Sequence, residues 1–386
     1  MVAVLSLRRK ALAWTAALMA MLALQACNGP FPSGGTGLNF GGSAKVALLV
    51  PKSSQNGASL AQSLENAARL AVQDLGDVKI ELKVYDTAGT PEGATRAAQL
   101  ALADGADVFL GPLFAESANA AGQVARSRGV NVLAFSNNPS IAGGNVFILG
   151  NTFQTTADRL VSHAVRTGRG NIYVIHADDP AERLGAEAIQ RAAASNGGTV
   201  LGVQSFALSQ QGVIDAIPGI ASNYRASGAN SVFVTSGNSG ALPFLAELLP
   251  ENGLDRENAQ FIGLQRLDVP SSAVSLKGLQ GAWFATPSPG LVQQFNNRYA
   301  SVYGTPPNPI AGLAYDGIAA IGALLAQGNS TSVDALTQGA GFAGVNGPFR
   351  FFRNGTNERG LAVAQIENNQ VIVIDPAPRS FGGVGF

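Results

Sequence analysis

Short apolar runs alternate along the chain with longer segments in which apolar residues recur at helical spacing. This alternation begins at Lys45 and is typical of parallel strands that are connected by crossover helices. The predicted strands are residues 46–50, 80–85, 108–110, 132–135, 172–175, 200–206, 232–234, 261–264 and 282–285. The predicted helices are residues 60–75, 91–103, 117–128, 156–166, 181–195, 291–303 and 310–325.

The pattern changes near residue 345, where β runs replace the alternation of strands and helices. These runs are residues 349–352, 361–366 and 371–374, and they are separated by turn residues at 353–355 and 368–369. Such spacing predicts hairpins that add an edge to one lobe. The rhythm is similar before and after residue 150, which predicts two like lobes.

The N-terminus has the pattern of an export signal. Arg8, Arg9 and Lys10 precede the apolar run 11–24, which is short for a membrane span and ends in L-Q-A-C. The tetrapeptide resembles the lipobox of bacterial lipoproteins, so residues 1–26 are predicted to be a signal peptide and Cys27 to carry a lipid anchor to a membrane. Residues 27–44 are rich in Gly, Pro and Ser and are predicted to form a flexible tether.

Composition narrows the function classes. Lys and Arg total 25 and Asp and Glu total 25, so no excess of positive charge suggests nucleic acid as a partner. Cys27 is the single cysteine of the chain, which excludes an intrachain disulfide. The 47 glycines and the hydrophobic content of 46% fit a compact exported protein whose stability comes from packing.

Four blocks of sequence resemble the type I periplasmic-binding-protein superfamily, in its branch related to leucine/isoleucine/valine binding. They are residues 46–54 with 66–72, residues 82–94, residues 106–117 with 130–138, and residues 295–317 with their Y-G, Pro-Pro and Tyr-Asp spacing. The resemblance implies two Rossmann-like lobes, each a doubly wound parallel sheet, joined by a multi-stranded hinge. It places lobe 1 at 45–151 plus 286–340, lobe 2 at 152–285 plus 341–376, and a tail at 377–386.

Within that superfamily, residues 135–150 and the lipobox are most similar to lipoproteins regarded as penicillin-binding-protein activators. This likeness implies a non-catalytic partner of a peptidoglycan synthase in the cell envelope. The alternative is a solute-binding receptor that serves the permease of an ABC transporter for amino acids, amides or short peptides. An Asp directly after the lipobox cysteine is usually read as a signal for retention in the inner membrane. This chain has Asn28 at that position, which favours the outer membrane over the inner one.

In doubly wound sheets, ligands meet the loops at the carboxyl ends of the strands. A small polar ligand is therefore expected between these loops, and the candidate residues are Ser53, Ser54, Phe114, Ala115, Ser117, Ser136, Asn137, Asn138, Asp178, Ser236, Asn238, Gln265, Arg266 and Tyr315. Against the pattern of the amino-acid binders, Ala115 stands in place of a hydroxyl and Gln265 in place of an acid. Because a charge-assisted bond contributes about 1.5–3 kcal/mol, a free amino acid is the less favoured ligand.

Signals for catalysis, cofactors and metals are weak. The string G-A-G-F-A-G at 339–344 lacks the preceding strand of a dinucleotide motif and is interpreted as a crossover between lobes. His163 and His176 have no Cys or acidic cluster at ligand spacing. Asp178 and Asp179 precede Pro180, which favours a helix start over paired catalytic carboxylates. We therefore predict no enzyme activity, no cofactor and no metal.

Overall fold

A computed structural model of the chain describes residues 43–381. The predicted signal peptide, Cys27 and nearly all of the predicted tether lie outside the described residues, as do the last five residues. The strands are β1 Ser43–Val50, β2 Lys79–Asp86, β3 Val108–Leu110, β4 Asn131–Ala134, β5 Val146–Ile148, β6 Asn171–Ala177, β7 Thr199–Phe206, β8 Ser231–Val234, β9 Gln260–Gly263, β10 Trp283–Thr286, β11 Phe349–Phe351, β12 Asn357–Arg359, β13 Ala362–Glu367 and β14 Gln370–Asp375. The helices are α1 Ala58–Asp74, α2 Pro91–Ala103, α3 Ala115–Arg126, α4 Phe153–Arg166, α5 Pro180–Asn196, α6 Gln210–Ser227, α7 Leu242–Glu251, α8 Pro289–Tyr303, α9 Gly312–Ala326 and α10 Val333–Leu336.

The first lobe is built on sheet A, five parallel strands in the order β2-β1-β3-β4-β5. Alternate side chains of β1 enter two cores on opposite faces of the sheet. One core contains residues of α1, α8 and α9, and the other contains residues of α2 and α3. Sheet A is thus doubly wound, as the alternation of strands and helices predicts.

The second lobe is built on sheet B, seven strands in the order β14-β13-β10-β9-β8-β6-β7. Residues of α4 and α5 pack on one face, and residues of α6 and α7 on the other. The prediction of a parallel sheet is wrong for one end, because β13 is antiparallel to β10 and to β14. A two-residue turn at Asn368 and Asn369, both with positive φ, joins β13 to β14, and only antiparallel strands allow so short a connection.

Two of the helices that the sequence analysis missed contain a proline. Helix α6 contains Pro218 and α7 contains Pro250, and a proline inside a segment argues against a helix, although the buried residues of both helices recur at helical spacing. Strand β5 has three residues and α10 has four, which is too short for a period to be visible. Strand β1 begins at Ser43, two residues before the predicted start of the folded body.

The hairpin of β11 and β12 lies where the chain passes between the lobes. Phe342, Phe349 and Phe351 belong to the same core as β1 and α1, although the predicted lobe boundary is residue 341. That boundary remains a prediction. Within residues 43–381, none of the helices combines the length and the apolar character that crossing a membrane requires.

Candidate functional site

Three loops meet at the carboxyl edge of sheet A. A Cβ at Gly89, which follows β2, would lie 3.2 Å from Ser54 Oγ after β1 and 3.4 Å from a ring carbon of Phe114 after β3. Gly89 has φ of +75°, a conformation that L side chains rarely adopt. Ser54 and Phe114 therefore lie close to each other on either side of Gly89, and the space between them is too small for a larger side chain at that position.

Two other loop residues of sheet A are engaged in local hydrogen bonds. The backbone N–H of Ser53 donates to Asp86 Oδ1 at 3.2 Å. Partial burial favours a raised pKa for Asp86, but hydrogen bonds from Ser53, Ala88 and Lys52 outweigh burial and hold that pKa below its ordinary value. After β4, Ser136 Oγ accepts from the N–H of Asn138, so the loop 136–138 is held by its own side chains, and Asn137 is exposed.

The first turn of α3 presents a mixed surface. Phe114 is the N-cap residue and its ring is exposed, while Ala115 offers only a methyl group. Ser117 is buried, and its hydroxyl has no hydrogen-bond partner among residues 43–381. Free N–H groups at a helix N-terminus favour a negatively polarised ligand atom.

A carboxylate organises the carboxyl edge of sheet B. Glu182, in the first turn of α5, accepts from the N–H of Ala177 at 2.6 Å and from Thr235 Oγ1 at 3.0 Å. Ser236 Oγ lies 2.8 Å and 2.7 Å from its two carboxylate oxygens. Glu182 thus connects the carboxyl ends of β6 and β8, and no Lys, Arg or His within residues 43–381 forms an ion pair with it.

Sequence reasoning missed Glu182, although a signal was present. Asp179 caps α5 by accepting from the N–H groups of Ala181 and Glu182, as the Asp-Asp-Pro pattern predicts. Asp179 and Glu182 have the spacing of a capping box, in which the later acid would return to the N-cap residue. In this protein the carboxylate of Glu182 instead accepts hydrogen bonds from Ala177 and Ser236. The bond from Ser236 depends on the neighbouring strand β8, which positions that residue.

The remaining candidates on sheet B have defined partners. Asp178 is exposed and pairs with Arg183 at 3.0 Å. Gln265 Nε2 donates to the carbonyl of Thr235 at 2.8 Å, and its amide covers Gly237. Arg266 forms a two-pronged ion pair with Asp268, and Asn238 Nδ2 donates to the carbonyl of Val269 at 2.8 Å. Ser236, Asn238, Gln265 and Arg266 therefore form one continuous edge with Glu182.

Tyr315 is placed differently from its prediction. Its hydroxyl donates to Asp74 Oδ2 at 3.1 Å, and Asp74 is the last residue of α1. Since α1 begins beside the carboxyl end of β1 and leads to the start of β2, this contact is directed away from the candidate loops. Burial, followed by the charge of Asp74, raises the pKa of Tyr315. Tyr315 is therefore not part of the candidate ligand-binding loops.

The next residue, Asp316, has a role in the hinge that the Tyr-Asp spacing alone does not specify. Asp316 is fully buried, and it accepts from Arg359 Nη1 at 2.6 Å and from the N–H of Val345 at 2.6 Å. Arg359, on β12, is also buried and donates to the carbonyl of Leu149, which follows β5. The pair therefore fixes α9 of lobe 1 to two of the segments that lead to lobe 2.

The hinge contains a second set of hydrogen bonds. Asn357 Nδ2 donates to the carbonyls of Ile148 and Gly150 at 2.6 Å and 2.9 Å. Thr155 Oγ1, at the start of α4, donates to the carbonyl of Asn357 at 3.2 Å. The two carboxyl edges are therefore held by a cross-linked hinge, whereas no hydrogen bond among residues 43–381 joins the candidate loops of one sheet to those of the other.

Other polar features lie outside these edges. His163 Nδ1 is 3.0 Å from Asp375, and His176 Nδ1 is 2.8 Å from the carbonyl of Ala177. Within the part of the chain that the structure describes, no three His, Cys, Asp or Glu side chains are grouped to hold a metal ion. Two grooves, of about 690 and about 870 Å³, lie on lobe 2 and beside the hinge, and none of the candidate loop residues lines them.

Comparison with known proteins identifies the family. A family model described as periplasmic binding protein matches residues 43–370. The chain belongs to the periplasmic binding protein family. A search of curated proteins finds no significant sequence match.

Solved structures of periplasmic binding proteins share the fold at low sequence identity. A Rhodospirillum rubrum structure described as a branched-chain amino acid ABC transporter has a TM-score of 0.74 at 19% identity, covering 86% of this chain and 100% of that one. A branched-chain amino acid ABC transporter ligand-binding protein from Burkholderia xenovorans has a TM-score of 0.67 at 18% identity, covering 88% and 97%. An ABC transporter solute-binding protein from Rhodopseudomonas palustris, in complex with 3,4-dihydroxybenzoic acid, has a TM-score of 0.60 at 20% identity, covering 88% and 97%.

These structures confirm the two-lobed α/β fold that the sequence blocks imply. The fold is that of substrate-binding proteins, which bind their substrates without transforming them. A periplasmic binding protein acts in the cell envelope.

Proposed function

We propose that this protein is a solute-binding receptor of an ABC transporter, in which the two carboxyl edges close around a small polar ligand. The observation that carries the proposal is the chemical complementarity of those edges. Sheet A offers hydroxyls and the N-terminus of α3, and sheet B offers the Glu182 carboxylate. The similar structures named as ABC transporter proteins support this function over a contact-only role.

The same complementarity suggests the ligand class. Gln265 stands where amino-acid binders carry an acid, but Glu182 supplies a carboxylate on the same edge with no cation beside it among residues 43–381. A ligand with a cationic or N–H group toward Glu182 and a carboxylate or carbonyl toward α3 satisfies both edges. We therefore propose amino acids, amides or short peptides as ligands, including free amino acids.

A thermal-shift panel tests this function. Ligand that binds only the folded protein stabilises it by about 2.7 kcal/mol at a hundredfold excess over Kd. We expect at least one amino acid, amide or short peptide to raise Tm, and we expect Glu182→Gln to reduce that rise while Glu187→Gln, on the exposed face of α5, does not. A flat Tm across the panel would count against a receptor.

The second candidate is activation of a penicillin-binding protein. It is favoured by residues 135–150 and by the lipobox, from which we also propose a lipid anchor at Cys27 and an outer-membrane location. Affinity capture from membranes separates the candidates: an ABC permease is expected for the receptor, and a penicillin-binding protein without a permease would favour the activator. Cys27→Ala should release the protein from the membrane fraction, and continued retention would contradict the anchor.

A further inference from the structure

Strand β14 forms one end of sheet B and has an unusual surface. Its four central residues, Val371, Ile372, Val373 and Ile374, are apolar and remain 37%, 45%, 37% and 37% exposed. In a strand, successive side chains point to opposite faces, so apolar groups are exposed on both faces of this edge. An exposed apolar edge strand is a template for pairing with another strand.

The edge strands β2 and β7 expose different side chains from β14. The β2 edge of sheet A exposes the charged residues Lys79, Glu81 and Lys83. The β7 edge of sheet B exposes Leu201 and Val203, but its exposed residues alternate with half-buried ones, so apolar groups are exposed on one face only. Charges on an edge strand prevent pairing between chains. Among the edges of the two large sheets, β14 is the one with four consecutive exposed apolar residues.

The backbone of β14 has hydrogen-bonding groups on its outer side. Val371 pairs with Ile366 of the neighbouring strand β13. The N–H of Ile366 donates to the carbonyl of Ala282 at 3.1 Å, and the carbonyl of Ile366 accepts from the N–H of Gly281 at 2.6 Å. Since these groups of Ile366 point toward β10, the pair of Ile366 and Val371 is not a hydrogen-bonded pair of the antiparallel ladder. The N–H and C=O of Val371, and by the same alternation those of Val373, therefore face the free edge.

We propose that β14 pairs antiparallel with β14 of a second copy of this chain, which joins two seven-stranded sheets. The outward N–H and C=O groups of Val371 in each copy would then form hydrogen bonds with those of Val373 in the other copy. Ile372 would lie opposite Ile372 of the second copy at the twofold axis. This register is self-complementary, as a twofold interface requires. It is set by the positions of the outward groups rather than by hydrophobicity alone.

The composition of the strand agrees with this register. Residues 370–374 carry no charge, so no like charges face each other along the paired segment. Pro376 follows and cannot donate to a ladder, which limits the pairing to β14. A stable dimer buries about 800 Å² on each partner, more than one short strand supplies, so we expect weak and reversible association.

Sedimentation equilibrium of the full chain in density-matched detergent, over a wide range of concentrations, tests the proposal. We expect a monomer–dimer equilibrium that Ile372→Lys weakens by about tenfold or more, because two cations would meet at the axis and apolar burial would be lost. Leu201→Lys, at an exposed apolar position of the opposite edge strand β7, is the matched control and should leave the equilibrium unchanged. A chain that is monomeric throughout, or a dimer equally insensitive to both variants, would overturn the proposal.

Cross-linking provides a readout of the register. Ile372→Cys places two thiols opposite each other at a non-hydrogen-bonded position, where Cβ atoms are close enough for a disulfide. Mild oxidation should give a covalent dimer that the unsubstituted chain and Leu201→Cys do not give. Absence of that dimer at concentrations where the chain sediments as a dimer would overturn the register. Neither experiment depends on the identity of the solute.

Discussion

The two carboxyl edges are held in place by different means. On sheet A, Gly89 and Gly111 lie where atoms of neighbouring loops and of strand β1 leave little or no space for a Cβ. On sheet B, hydroxyl and N–H groups converge on the carboxylate of Glu182. The first edge should therefore be sensitive to added volume and the second to changes of charge.

The largest expected effect comes from the hinge that joins the two edges. Arg359→Met leaves Asp316 buried without its cation, which we expect to lower the free energy of unfolding by about 3–5 kcal/mol. Denaturant unfolding measures this loss. Arg353→Met, which breaks an ion pair whose side chains are mostly exposed, is the control and should cost less than about 1 kcal/mol. Equal effects would show that the hinge pair does not support the fold.

The volume sensitivity of sheet A is tested by Gly89→Ala. A left-handed L residue costs roughly 1–2 kcal/mol, and contact with Ser54 Oγ at 3.2 Å should add about 1 kcal/mol. Gly129→Ala is the matched control, because Gly129 has a similar φ of +69° and no atom within 4 Å of the position that a Cβ would take. If both variants lose the same stability in denaturant unfolding, the loops of sheet A do not meet as described.

The charge sensitivity of sheet B is tested by Glu182→Gln. The substitution keeps the size of the side chain but removes the charge from its hydrogen bonds, and we expect a loss of about 1–2 kcal/mol in the free energy of unfolding. Glu187→Gln changes an exposed carboxylate of the same helix and should have little effect. An unchanged midpoint for Glu182→Gln would mean that its carboxylate does not organise the edge.

A smaller effect concerns pH and lies away from both edges. Burial, opposed by Asp375, lowers the pKa of His163 in the folded protein. The unfolded chain takes up this proton near the ordinary value of about 6.5, so the contribution of His163 to stability is present above that pH and decreases as pH falls below it. We expect Tm to fall less between pH 7 and pH 5 in His163→Gln than in the unsubstituted protein. An identical pH profile would contradict this assignment.

The sequence predicts the alternating elements and the terminal hairpin because their periodicity and turn residues are local. Asn368 and Asn369 lie in the turn as expected, and Asp179 caps its helix. What depends on distant neighbours was missed. Glu182 acquires its role from Ser236 in the loop after β8, and Asp316 from Arg359, which is 43 residues away in the chain. Tyr315 was misplaced for the same reason, since its partner Asp74 is 241 residues away.

Small-angle X-ray scattering, with and without the solute that gives the largest Tm rise, tests most directly whether the two edges are halves of one site. The account predicts that the radius of gyration decreases at saturation, because the lobes close about the hinge, and that the decrease is reduced in Glu182→Gln. A radius of gyration that does not change for any saturating solute would contradict a receptor that closes around its ligand.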